Sequence, residues 1–187
     1  PHIAGNLSAS IDEATWALKY PTASGGSGHR LLSPSSSEPR DWPKPFVVQR
    51  FVPMERPEVF RIYAAGGDTF GFNVRRFPPD TATSPWVAHA RGARYERAGV
   101  PPEGAVRTAR AALAACGQLD SFGSADLVRD GDRWLALEVG TDGACGHVDR
   151  DVGDDSLVDE LDRRFAEAFW TWVGETPPWA PGAWRRR

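Results

Sequence analysis

One hundred and eighty-seven residues with 41% apolar content, eight tryptophans and nine phenylalanines suffice for one domain or two small lobes, and they exclude a disordered chain. No apolar run approaches the roughly 20 residues that span a bilayer, so no membrane partner is expected. A net charge of −3 and a pI near 5.8 exclude non-specific binding to nucleic acid or anionic membranes, with Arg185 to Arg187 as at most a small basic tag. Cys116 and Cys145 show neither CxxC spacing nor a cluster around them, which indicates a reducing compartment, the cytoplasm, and no structural zinc.

The chain begins at Pro1 without a methionine and reads as a fragment or a processed chain. Ser8 or Ser10 ahead of Asp12 and Glu13 predicts a short helix within residues 1–15. Trp16, Ala17 and Leu18 then predict a strand that ends by projecting Lys19, after which Pro21 breaks the ladder and the small residues Ala23 to Gly28 turn the chain back. Gly25, Gly26 and Gly28 let the backbone approach an anion and aim N–H groups at it, while Lys19 supplies a point charge. A Gly/Ser hairpin turn beside a surface lysine has the same pattern, and on these residues alone both readings stand. The loop is neither a Walker A motif, since no Gly-Lys-Ser/Thr follows, nor a dinucleotide fingerprint, since no helix pattern opens after Gly28. Lysine occurs twice against twenty arginines, so a lysine at this place stands out.

Residues 33–45 read as a Pro/Ser loop, and Phe46 to Val52 as a buried strand stopped by Pro53. Phe60 to Ala65 and Thr69 to Arg75 predict two strands joined by the turn Ala65-Gly66-Gly67-Asp68. Residues 77–101 are Pro-rich and polar, long enough for a mobile functional loop or a disordered one. Glu103 to Cys116 predicts an alanine-rich helix that follows Pro101 and Pro102 and is closed by Gly117. Two strands, Gly123 to Arg129 and Trp134 to Gly140, flank the turn Asp130-Gly131-Asp132. Asp154 and Asp155 open a last helix whose stripe of Leu157, Leu161, Phe165, Phe169 and Trp172 is core. In the Pro-rich tail, Trp179 or Trp184 is expected to pack over the surface.

Asp126 and Glu138 both sit among apolar strand residues, and a hairpin centred on Gly131 brings them near each other across the ladder. Two buried like charges repel unless each pairs with an arginine or a divalent cation lies between them, for which hard oxygen ligands shared with phosphates suit Mg²⁺. No Ser/His/Asp or Cys/His constellation marks a nucleophile, and His89 and His147 read as solvated loop residues or substrate contacts.

Taken in order, the lysine strand, the glycine loop, VVQRF, the hairpin FRIYAAGGDTFGFNVRR, the alanine helix, ADLV and LALEV resemble the ATP-grasp superfamily. Within it they look like the RimK-type carboxylate–amine ligases, over about Trp16 to Trp172. The resemblance implies an α+β fold of two lobes whose antiparallel sheets enclose a nucleotide cleft: a small lobe over 1–53 with the glycine-rich loop, and a large lobe over 54–187 with the metal-binding strands and the last helix. By this resemblance the N-terminal pre-ATP-grasp domain of such proteins is expected to be missing from this stretch. By the same resemblance, ATP and Mg²⁺ are the cofactors, and Lys19, Gly25, Gly26 and Gly28 hold the phosphates. Gln49, Arg50 and Phe51 would meet the adenine edge and Glu58 the ribose. Arg61 and Arg76 would face the terminal phosphate and the acyl phosphate, and Asp126 and Glu138 would ligate the metal. The sequence departs from the family at Gly140, where an asparagine ligand is usual, at Arg50, commonly acidic, and at Val59, where the ribose acid falls, with Glu58 beside it as a substitute. Asp142 is a possible replacement ligand. The expected activity is peptide-bond-forming ligation through an acyl phosphate, with small-molecule or peptide carboxylate and amine substrates and, as a further partner, a second copy of the chain. The alternative is a degenerate ATP-grasp module that binds nucleotide or protein without catalysis.

Overall fold

The computed structural model describes residues 2–3, 16–22, 25–32, 39–141 and 145–174. The helix expected before the first strand, Asp142, and the tail with Trp179 and Trp184 lie outside the described residues. The chain divides into two compact units, Pro1–Glu58 with Phe77–Ala93, and Val59–Arg76 with Arg94–Arg187. The sequence reading places a lobe boundary at residue 53 and a single crossing. In the structure the crossing follows Glu58, and 77–93 returns to the first unit.

The first unit holds an antiparallel sheet of order β1-β4-β2-β3, with β1 His2–Ile3, β2 Trp16–Lys19, β3 Arg30–Leu32 and β4 Val47–Arg50. Leu18, Leu32, Trp42, Phe46 and Val48 form its core, with Trp16 and Tyr20 packed against them. Trp42 comes from the Pro/Ser loop, and its ring meets Tyr20 at 5.2 Å and Phe46 at 5.9 Å, both edge-on. This loop therefore contributes core in spite of its polar composition.

The second unit is built on a five-stranded antiparallel sheet of order β7-β6-β5-β8-β9. Its strands are β5 Glu58–Ala65, whose first residue belongs to the first unit, β6 Asp68–Arg76, β7 Arg94–Arg97, β8 Phe122–Asp130 and β9 Arg133–Gly140. Three helices accompany them, α1 Glu103–Ala115, α2 Cys145–Val152 and α3 Ser156–Val173. Alternation along β5 sends Ile62 and Ala64 to one face and Tyr63 and Ala65 to the other. On the first face Ala105, Ala109 and Leu113 of α1, spaced by four and fully buried, pack on Ile62, Phe72, Ala125 and Leu127. The two alanines bring the helix backbone close to the sheet, and burying Leu113 contributes about 1.5–3 kcal/mol. On the second face Val148 of α2 and Leu157 and Leu161 of α3 cover Tyr63 and Tyr95. Covered on both sides, β8 is buried from Gly123 to Val128.

Among the elements that differ from the sequence reading, two bear on the second unit. Residues 77–101 hold a 3-10 turn at His89–Arg91 and the edge strand β7. Only Tyr95 in β7 points into the core, so the strand carries almost no hydrophobic signal; the backbone N–H of Tyr95 donates to Asp151 at 2.9 Å. The second element is α2, whose Asp149 carboxylate accepts the N–H groups of Leu157 at 3.2 Å and Val158 at 2.7 Å, thereby capping α3.

Candidate functional site

In the first unit, β2 and β3 pair with Leu18 opposite Arg30, so Lys19 and His29 follow as the next residues at the mouth of the glycine hairpin. Gly25 and Gly26 have φ of 61° and 73°. A Cβ on Gly25 would lie 3.1 Å from the Cβ of Ala90, and one on Gly26 would lie 3.0 Å from the Cβ of Trp86. The glycines thus have a packing reason as well as a chemical one: the turn sits directly on segment 77–93. Arg91 donates from Nη2 to the carbonyl of Gly26 at 2.9 Å, and the His29 ring stands edge-on to Trp86 at 5.4 Å. Burial lowers the His29 pKa, the Lys19 charge lowers it further, the Ser27 carbonyl at 3.2 Å partly opposes this, and Arg91 adds to the lowering.

Gln49 and Arg50 pair with Ala17 and Trp16 in β4, and Phe51 follows the last ladder pair, with its ring 5.9 Å from Trp86. Glu58, at the start of β5, lies 3.9 Å from the Arg56 Nε. Trp86 and Arg91 are the residues that the sequence reading missed here. Their one available signal was a tryptophan between prolines and small residues in a stretch otherwise read as irregular.

In the second unit the ladder places Arg61 opposite Asp126 and Asp126 opposite Glu138, so the expected approach of the two carboxylates across the hairpin is present in the register. Their environments differ. Asp126 is 4% exposed, while Glu138 is open to solvent. Arg61 grips Asp126 with Nε to Oδ1 at 2.6 Å and Nη2 to Oδ2 at 3.0 Å, and Arg75 adds Nη2 to Oδ2 at 3.1 Å. Arg75 also donates from Nη1 to the Tyr95 hydroxyl at 2.6 Å, and both guanidiniums lie against the Tyr95 ring, at 5.6 and 5.3 Å. Burial alone would raise the Asp126 pKa, but the charges and hydrogen bonds of Arg61 and then Arg75 outweigh it and hold the carboxyl below its usual range. Burial pushes the Tyr95 phenol up, against the pull of the same two arginines. On neighbouring strand positions Asn73 and Ser124 are buried and hold side-chain polar atoms without a hydrogen-bond partner among the described residues.

This geometry bears on two of the expected roles. Asp126 and Glu138 as they stand do not fit Mg²⁺. Both oxygens of Asp126 are taken by guanidinium donors whose charge repels a dication, and no group of three His, Cys, Asp or Glu that could hold a metal occurs among the described residues. The arginine that joins Arg61 is Arg75, and Arg76 belongs to the other face, where it pairs with Glu96 at 3.0 Å. Strand parity explains this, since the core residues Phe72 and Val74 put Asn73 and Arg75 on the opposite side.

Two antiparallel sheets with these helices, in this order, make a mixed α+β chain with the ATP-grasp fold. The crystal structure of D-alanine–D-alanine ligase from Bacillus anthracis matches it with a TM-score of 0.51 at 11% identity, over 86% of this chain and 53% of that one. The chain therefore spans about half the length of that ligase. No family model and no curated protein matches the sequence. Among the described residues no helix is long and apolar enough to cross a membrane.

Proposed function

We propose that this chain is the ATP-binding part of a carboxylate–amine ligase that forms a peptide-type bond through an acyl phosphate, of the RimK-like kind that its motif order resembles. The observation that carries the reading is Lys19 at the mouth of a glycine hairpin in a chain with twenty arginines and only two lysines. The hairpin N–H groups and Lys19 bind the triphosphate, Phe51 borders the adenine, and Glu58 takes the ribose. Arg61 and Arg75, preset by Asp126 and Tyr95, stabilise charge on the transferring phosphoryl group and on the acyl phosphate. The unpartnered polar atoms of Asn73 and Ser124 support a polar ligand there, because each buried orphan group costs about 1–3 kcal/mol when left unmet. An amine then attacks the acyl carbon and phosphate leaves.

A second reading, a nucleotide-binding module without catalysis, is favoured by the arginine clasp on Asp126 and the exposure of Glu138. Calorimetry with ATP, with and without Mg²⁺, on wild type and Lys19→Met, followed by hydroxylamine trapping of an acyl phosphate from a panel of carboxylates, separates the two. ATP binding that needs Lys19 together with hydroxamate formation supports the ligase. ATP binding without Mg²⁺ dependence and without hydroxamate supports the module, and no ATP binding at all overturns both.

A further inference from the structure

We propose that His29 and Arg91 are phosphate-binding residues of the glycine hairpin, gripping the terminal phosphates of a nucleoside triphosphate together with Lys19. The inference rests on the ATP-binding reading and adds to it two residues that neither the motif order nor the fold assigns. Arg91 is exposed and reaches the hairpin from a different stretch of chain, the 3-10 turn His89–Arg91, and touches the loop backbone at the Gly26 carbonyl. That contact uses one of the five N–H donors of a guanidinium, whose fork suits phosphate oxygens. His29 sits at the hairpin mouth beside Lys19, its Nδ1 donating to the Ser27 carbonyl and its ring against Trp86. Among the described residues the charged groups bearing on it are Lys19 from β2 and Arg91 from the turn, both cations. Two cations and an imidazole gathered from three segments around a glycine turn form an anion cradle, and a bound polyanion offsets the field of the two cations at His29.

The consequence is a coupled proton. Burial, then Lys19 and Arg91, disfavour the charged imidazole in the free protein, and arriving phosphates offset those cations and so raise its pKa. Binding then takes up a proton, and affinity strengthens as pH falls through the histidine range, about 5 to 7.

The test uses the full chain with ATP and with inorganic tripolyphosphate, by calorimetry between pH 5.5 and 8, and follows the His29 C2–H resonance by NMR. Arg91→Ala should weaken both ligands about tenfold to hundredfold, the range of one lost charge-assisted hydrogen bond, and Arg91→Lys should restore part of it. His29→Gln should flatten the pH dependence relative to wild type, the titration of the ligand itself being common to both proteins. The NMR measurement needs no variant, so it stands even where a substitution disturbs the fold: the His29 pKa must rise on adding tripolyphosphate, and an unmoved value overturns the proposal. If ATP binding is lost in Lys19→Met but unchanged in Arg91→Ala and His29→Gln, this inference fails and the ATP reading stands. If neither ATP nor tripolyphosphate binds wild type, both fail.

Discussion

Replacing Asp126 with asparagine keeps the shape of the side chain and removes the charge that holds Arg61 and Arg75. Those two side chains are 12% and 13% exposed and the carboxylate 4%, so water cannot take over the lost partner. Breaking a buried ion pair by removing one member costs about 3–5 kcal/mol. The amide oxygen still accepts one N–H, which puts the expected loss near the lower end, about 3 kcal/mol. For a chain of this length that lowers the Tm by roughly 6–12 °C. The folded pKa of Asp126 is depressed, so its contribution is fully present above the unfolded value of about 3.9 and is lost as pH falls below it. The gap between wild type and Asp126→Asn should therefore be constant from pH 5 to 7 and narrower at pH 3. Urea denaturation of both proteins across this range, followed by near-ultraviolet circular dichroism, measures it. A loss under about 1 kcal/mol at pH 7, or wild-type stabilisation by Mg²⁺ that the variant lacks, would refute the arginine-clasp reading and return Asp126 to a metal role.

Glu138→Gln, at an exposed position, should change stability by no more than about 0.5 kcal/mol and leave any Mg²⁺ dependence of ATP binding intact; calorimetric loss of that dependence would contradict the fit described above. Asp149→Ala strips two N–H caps from α3 and should cost about 1–2 kcal/mol, with faster amide exchange at Leu157 and Val158 and little change elsewhere. Gly71→Ala puts a Cβ 2.8 Å from the Leu157 Cδ1 at a φ of 61°, and thermal denaturation should show a loss of about 1–3 kcal/mol.

The parts of this molecule that could be read from sequence are those where local signals agree with tertiary demands. Hairpin turns at Gly66-Gly67 and Gly131 were marked by their own chemistry, and α1 by Pro102 ahead of it and Gly117 behind. The strand β7 was not legible, because an edge strand with a single buried residue, Tyr95, has no alternation to display. The helix α2 was hidden by Gly146 and by its charged residues, one of which, Asp149, is there to cap the next helix. At the site, the register of Asp126 against Glu138 followed from the turn, but what neutralises Asp126 did not. That depends on which of two adjacent arginines faces inward, and Phe72 and Val74 decide the parity. Trp86 and Arg91 bind their partners about 60 residues away in sequence, a distance over which periodicity says nothing.

The return of 77–93 to the first unit also sets an order of events as the chain leaves the ribosome. The chain enters the second unit at Val59, leaves it after Arg76 and re-enters at Arg94. The first unit can close once residue 93 has emerged, with Trp86 and Arg91 seated on the hairpin. By then β5 and β6 have been made but lack β8, which completes only at Asp130. The hairpin of β5 and β6 therefore spends part of synthesis with the edge of β5 unpaired, tethered at both ends to a unit that is already complete. A gene fragment stopping after Glu58 would yield a first unit without the segment that its glycine turn packs against, so an expressible version must carry the foreign hairpin along or replace residues 59–76 with a short linker.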